Sequence, residues 1–243
     1  MLEYLEVKPF AIIGHRGAAG RFPENTLKSI EYAIEIGVDV VKVDVRSTRD
    51  GEIIVFHDPD LKRLFNRSEA IKDLDYSWIR ENLRLDDQYI PLLSEVLELV
   101  RDKVGLFIEI KEPEITGEVI ELVRDYRMVN EVAIISFYDE ALVKAKQLEP
   151  SIVTGLIYYK PPGRVFDAKK LKASIVLPRY NIASEKANSL AHRLGLKVVV
   201  WTVNDIETAR KMIERRVDGI ASDYPDIILK LRERLTNNHR PFK

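Results

Sequence analysis

Val38-Asp39-Val40-Val41-Lys42-Val43-Asp44-Val45-Arg46-Ser47-Thr48-Arg49-Asp50-Gly51-Glu52-Ile53-Ile54-Val55-Phe56-His57-Asp58-Pro59 is the stretch on which the fold turns. Its two β-branched runs, 38–45 and 52–56, read as strands. Thr48-Arg49-Asp50-Gly51 leaves no room between them for a crossover helix, so the pair is a hairpin and antiparallel. Counting back from the turn sets His57 opposite Val43 and Asp44. Outward from this hairpin the rule is different. Phe10–Gly14 is a short apolar strand followed by a helical period over 25–36, and strand-like runs return at 105–110, 132–135, 152–157, 174–177, 197–201 and 218–221. Amphipathic stretches at 115–126, 139–148, 185–194 and 205–214 separate most of them. Strand-then-helix alternation of this length, without a Gly-rich dinucleotide fingerprint to mark a switch point, predicts an α/β fold. It is a closed (β/α) barrel of the TIM type, with one helix-less β-hairpin and a small insertion after the third strand.

At 243 residues one barrel domain can span the whole chain, 1–243, and no linker-like stretch divides it. The segment 58–90 is charged, weakly periodic and longer than an ordinary loop. It is either a lid that touches substrate or a solvated insertion. The 38 basic and 39 acidic side chains nearly cancel, so no global field draws nucleic acid or an anionic membrane. The absence of cysteine excludes disulfides, thiolate metal sites and a cysteine nucleophile. With no membrane-length apolar run and no signal-peptide start, a cytoplasmic location is expected.

Barrel active sites gather where strands end. His15 and Arg16 end the first strand, Asp44 lies near the end of the second, His57 and Asp58 follow the third, and Glu109 and Lys111 end the fourth. Two of the four histidines are therefore at strand ends, while His192 falls on a helix and His239 in the polar tail. Two imidazoles can divide proton removal from proton delivery, as displacement at a phosphodiester requires. Arg16 offers a planar fork for phosphate oxygens and Lys111 a point charge. Asp44 and Glu109 are hard oxygen ligands suited to Mg²⁺ or Ca²⁺ rather than Zn²⁺, with Mn²⁺ a third option.

The ordered stretches 13–18 (Ile-Gly-His-Arg-Gly-Ala), 23–26 (Pro-Glu-Asn-Thr), 44–59, 90–97, 108–111 (Ile-Glu-Ile-Lys), 201–204 (Trp-Thr-Val-Asn) and 218–225 together resemble the glycerophosphodiester phosphodiesterases. The resemblance covers most of the chain. It implies a barrel in which His15 and His57 serve as general acid and base and a divalent metal bridges Asp44, Glu109 and the phosphate. The implied reaction begins with attack of the glycerol 2-hydroxyl on phosphorus, which expels the alcohol. Water then opens the cyclic phosphate, giving glycerol 3-phosphate. Glu24 and Asn25 would support the loop after the first strand, and Phe137 and Trp201 would wall the glycerol end.

One position departs from that pattern. Where the family shows Glu-x-Asp, this chain has Lys42-Val43-Asp44. Residues two apart on a strand share a face, so Lys42 and Asp44 both point into the barrel mouth. The site's charge changes from −3 with three carboxylates to −1 for Lys42, Asp44 and Glu109, a multi-kcal/mol penalty for a dication even at an effective dielectric of about 20. Three readings follow: Lys42 pairs with Asp44 and Glu109 and partly substitutes for the metal, with activity surviving at a reduced level; the site is disabled and the chain is a non-catalytic phosphate-ligand-binding barrel; or the substitution was introduced to inactivate the enzyme. A lysophospholipase D-like enzyme is a further alternative, and the lack of an exposed amphipathic helix favours small soluble substrates instead. Taken singly, His15 is more often a core histidine and Trp201 a core residue, Glu109 and Lys111 could be a surface ion pair, and Asn25-Thr26 reads as a helix cap. Their joint placement at strand ends reverses the odds.

Overall fold

A computed structural model describes residues 1–160 and 163–237. Its strands are β1 (Ala11–His15), β2 (Val40–Ser47), β3 (Ile53–Val55), β4 (Gly105–Ile110), β5 (Val132–Ser136), β6 (Val153–Tyr158), β7 (Ile175–Pro178), β8 (Lys197–Val200) and β9 (Gly219–Ser222). The helices are α1 (Leu27–Glu35), α2 (Lys62–Phe65), α3 (Tyr76–Asn82), α4 (Leu93–Val100), α5 (Thr116–Asp125), α6 (Asp139–Leu148), α7 (Val165–Lys170), α8 (Glu185–Arg193), α9 (Ile206–Glu214) and α10 (Pro225–Asn237). β1 pairs in parallel with both β2 and β9, and every other neighbour in the ring is parallel too, so eight strands close a barrel. β3 stands outside the ring, antiparallel on β2.

The period of two in each strand sorts the side chains into two layers. On β2, Val41, Val43 and Val45 face the outer layer of apolar residues against the helices, whereas Val40 faces the barrel interior with Ile13, Phe107, Ile135 and Val199. Met1 and Leu5 pack under that interior and close its lower end. Lys42, Asp44 and Arg46 continue the inward file of β2 upward, which is why polar side chains can be buried there.

The hairpin forms as its turn residues dictate. Val45 pairs with Val55 and Ser47 with Ile53, and Phe56 N donates to Asp44 O at 2.9 Å. Thr48 N donates to Glu52 O at 3.0 Å while the Thr48 hydroxyl donates to Asp50 at 2.6 Å, closing the turn. The chain is thereby returned to the barrel mouth at His57.

Segment 58–90 differs from a solvated insertion. Leu61, Ile71, Ile79, Leu83 and Ile90 join Ile54 and Phe56 in a third apolar core. The weak periodicity has a plain cause: short helical pieces and turns carry these residues, so their spacing matches no single helical face. α4, α7 and α10 also form, outside the amphipathic stretches named above. α10 ends the described chain, so Thr236 and Asn237 of the polar tail are helical, and His239 lies outside the described residues. Among the described residues no helix is long and apolar enough to cross a membrane.

Candidate functional site

The loop after β1 is stapled to the start of α1. Ser29 Oγ donates to Arg16 O at 3.0 Å and accepts from Ala18 N at 2.8 Å. Arg16 and Asn25 both adopt left-handed backbone, at φ 55° and 60°, a conformation that costs a side-chain-bearing residue about 1–3 kcal/mol unless its surroundings hold it. Gly17, at φ 84°, has no alternative, because a Cβ there would lie 2.5 Å from Ser29 Oγ and 2.6 Å from Ser29 backbone carbon. Thr26 caps α1 by accepting from Ser29 N, while Asn25 is occupied elsewhere: its amide donates to Asp44 Oδ2 at 3.1 Å.

Register then assembles a charged cluster. Asp44 on β2 sits beside Glu109 on β4, so the two carboxylates face the same space. Lys42 Nζ lies between them, 2.6 Å from Asp44 Oδ1 and 2.5 Å from Glu109 Oε2. Lys111 Nζ is 2.9 Å from Asp44 Oδ1 and donates to Glu109 Oε1. Arg16 Nη1 donates to Glu24 Oε1 at 2.7 Å, and its Nε lies 3.3 Å from Asp44 Oδ2 without forming a hydrogen bond. Glu24 is held in turn by Arg63 of α2, whose Nε donates to Asp58 at 2.6 Å. Lys42, Asp44 and Glu109 are all buried, so the reading of Glu109 and Lys111 as a surface pair does not hold. Burial would raise the Asp44 carboxyl, but Lys42, Lys111 and Arg16 outweigh it and hold the group well below the usual carboxylate range. The same carboxylates outweigh burial at Lys111 and hold its ammonium above the ordinary lysine value.

Each histidine has one ring nitrogen fixed by an acid. His15 Nδ1 is 2.6 Å from Asp223 Oδ1, and His57 Nδ1 is 2.8 Å from Asp58 Oδ1. Asn204 holds Asp223 from above, its amide donating to Oδ2 at 2.7 Å and its carbonyl accepting from Asp223 N at 2.9 Å. Arg46 Nε donates to the backbone carbonyl of His57 at 2.9 Å and its Nη1 to Glu112 at 2.6 Å, which fixes the chain where the hairpin ends. Burial lowers both imidazoles below 6.5, against the opposing pull of Asp223 on His15 and of Asp44 on His57. A neutral imidazole therefore persists to lower pH than on an exposed histidine. The acid limb of kcat/KM is expected below pH 6.5. Asp223→Asn, which removes a group that raises His15, should move the limb that His15 sets to lower pH; an acid limb at or above the ordinary histidine value in the wild type would contradict the arrangement. In stability the sign is the same, since the unfolded chain binds more protons once the pH drops through 6.5, and the native state weakens as the solution becomes more acidic.

These residues share one cavity of about 450 Å³ at the C-terminal mouth of the barrel, lined by His15, Arg16, Lys42, His57, Glu109 and Lys111 on one side. Phe137, Tyr159, Leu177, Tyr180 and Trp201 line the other. Phe137 meets Tyr159 and Trp201 edge to face, and Trp201 Nε1 donates to Leu177 O at 2.8 Å, so the aromatic wall is braced. His192 is apart from the site, bonded on α8 to Asp218 at 2.8 Å. Sequence reasoning passes over Asp223, Asn204, Arg46, Arg63, Tyr159, Tyr180 and Arg179, the last of which also lines the cavity. Asp223 and Asn204 lay inside quoted motifs, and Arg46 shares the strand face of Lys42 and Asp44, so a signal existed for those three; Arg63 carried none.

Asp44 and Glu109 are the oxygen donors a divalent ion would need. Both already accept from two ammonium groups, and among the described residues no group of three or more His, Asp or Glu side chains is arranged to hold a metal. As it stands, with Lys42 between the acids, the donor set does not fit a dication.

The chain is 32% identical over 237 residues to the glycerophosphodiester phosphodiesterase of Caldanaerobacter subterraneus subsp. tengcongensis, covering 90% of this chain and 96% of that one. The solved glycerophosphodiester phosphodiesterase of Thermotoga maritima superposes with a TM-score of 0.79 at 30% identity, covering 93% of this chain and all of that one. A phosphodiesterase of Oleispira antarctica in complex with the product sn-glycerol-3-phosphate superposes with a TM-score of 0.84 at 28% identity, covering 90% and 95% of the two chains. The glycerophosphoryl diester phosphodiesterase family model matches residues 15–227, and the chain belongs to that family.

Proposed function

We infer that the chain hydrolyses glycerophosphodiesters to glycerol 3-phosphate and an alcohol. Family membership makes it a phosphoric diester hydrolase. The observation that carries the mechanism is the pair of imidazoles, each with Nδ1 held by a carboxylate, opening on one cavity that also contains Arg16 and Lys111. Members of the family are generally metal-dependent, but with Lys42 between them Asp44 and Glu109 do not offer Mg²⁺, Ca²⁺ or Mn²⁺ a fitting donor set. In this chain those carboxylates serve the lysines instead.

In the first step the glycerol 2-hydroxyl oxygen bonds to phosphorus while one imidazole takes its proton. The bond from phosphorus to the departing alcohol breaks, and the second histidine, which enters the step as imidazolium, gives that oxygen its proton and is left neutral. Water next attacks the cyclic phosphate with the roles exchanged: the imidazole left neutral takes the water proton, and the imidazolium returns a proton to the 2-oxygen as the ring opens. Arg16 and Lys111 hold the phosphate oxygens, where negative charge concentrates in both steps. Glu24 keeps Arg16 in place and Asn25 keeps Asp44 in place. Phe137 and Trp201 bound the side where the carbon skeleton lies. The product complex of the Oleispira relative supports glycerol phosphate as the retained half.

Phosphorus NMR on glycerophosphocholine and glycerophosphoethanolamine tests this. Glycerol 3-phosphate is expected to accumulate, with a cyclic phosphate passing through. Binding without turnover would identify a ligand-binding barrel, and cleavage confined to lysophosphatidylcholine would identify a lysophospholipase D.

A further inference from the structure

We propose that the ammonium of Lys42 stands in for the divalent ion, so that this enzyme binds its phosphodiester and turns it over without metal. The proposal rests on the phosphodiesterase reading above and deepens it.

Charge count is the first support. Lys42, Lys111 and Arg16 contribute three positive charges to the cluster and Asp44, Glu109 and Glu24, which accepts from Arg16, three negative ones, so the charges balance. A carboxylate at position 42 would leave two negative charges in excess, and a bound dication would cancel them. Lys42 by itself therefore gives the cluster the net charge that a carboxylate and a dication would give together. Adding a dication to the present cluster would instead leave an excess of two positive charges.

Geometry is the second. Lys42 Nζ occupies the point between Asp44 and Glu109, at 2.6 and 2.5 Å, so the two acids that would hold an ion are already joined through an ammonium. An ammonium has three donors. Two are taken by these carboxylates, and the third remains for a phosphate oxygen in the cavity that Lys42 lines with both histidines. The carboxylates keep the ammonium in register, as ligands would keep an ion. Lys111, just past the end of β4, contacts the same two acids, so the phosphate meets a fixed pair of cations.

The test compares the wild-type chain with Lys42→Met and Lys42→Glu, each stripped with EDTA. Glycerophosphocholine cleavage is followed together with glycerol 3-phosphate binding by calorimetry. The wild type is expected to bind glycerol 3-phosphate in EDTA, to keep its rate within about two-fold, and to gain nothing from Mg²⁺, Mn²⁺ or Ca²⁺. Lys42→Met should lose about 100-fold in rate and about ten-fold in affinity, with no rescue by metal. Lys42→Glu should be inactive in EDTA, should melt at a higher temperature when a divalent ion is added, and should recover rate with that ion. Wild-type binding that vanishes in EDTA, or a Lys42→Met chain that binds as well as the wild type, would overturn the proposal. A wild type that cleaves no diester in any buffer yet binds glycerol 3-phosphate in EDTA through Lys42 would uphold the ammonium's role and refute hydrolysis, so the two readings fail separately.

Discussion

His15→Ala or His57→Ala is expected to lower kcat/KM for a glycerophosphodiester by about 10³-fold, within the range attributable to a positioned acid or base. The loss should fall on kcat, because both imidazoles act on protons that move only as bonds to phosphorus form and break. Stability should change little. Asp223 keeps its bond to Asn204 and Asp58 its bond to Arg63 when the neighbouring ring is removed, so neither acid is left without a partner. The two losses should not add. Once either imidazole is gone the proton cannot be both removed and delivered, and the double variant is expected to be only slightly worse than the single ones. Steady-state kinetics with thermal melts on the three variants checks this, and a single variant with more than a tenth of the wild-type rate would remove that histidine from the chemistry.

The largest expected effect on stability lies at Asp44. This carboxylate is wholly buried, accepts from Lys42, Lys111 and Asn25, and has Arg16 at 3.3 Å. Its truncation leaves buried cations uncompensated, a change that costs about 3–5 kcal/mol where a buried pair is broken from one side. Asp44→Ala is therefore expected to lower the melting temperature by about 10 °C. Combining it with Lys42→Met should recover part of the loss, because one of the stranded charges is removed. Urea unfolding of the single and double variants gives the comparison. A single-variant loss below about 1 kcal/mol would mean that water, rather than the carboxylate, balances the lysines.

The acid sensitivity of the fold follows from the same contacts. Asp44 is held below 3.8, so its contribution is complete above that value and lost as the pH falls through its folded-state value. The histidines act earlier on the way down, below 6.5, and in the same direction. Both effects weaken the native state in acid, in two separate windows.

How much of this was legible in advance differs from residue to residue. The strand runs, the Thr48-Arg49-Asp50-Gly51 turn and the shared face of Lys42 and Asp44 could be read directly, because each depends on neighbours within a few positions and on a two-residue period. The seven ordered motifs brought the family and the histidine pair with them. Whether Lys42 meets Glu109 could not be read, since that contact depends on how β2 is registered against β4, 67 positions of chain separating the two residues. Asp223 reaches His15 across 208 positions only because the barrel closes β9 onto β1. The core of segment 58–90 was hidden for a related reason: its apolar residues are gathered from separate turns and match no single period. Local backbone preference and turn chemistry are properties of short sequence, and they determined the succession of strands along this chain and the kind of chemistry the strand ends carry. Register, barrel closure and burial depend on the sum of distant contacts, and only the tertiary structure decided that an ammonium lies where two acids could otherwise have held an ion.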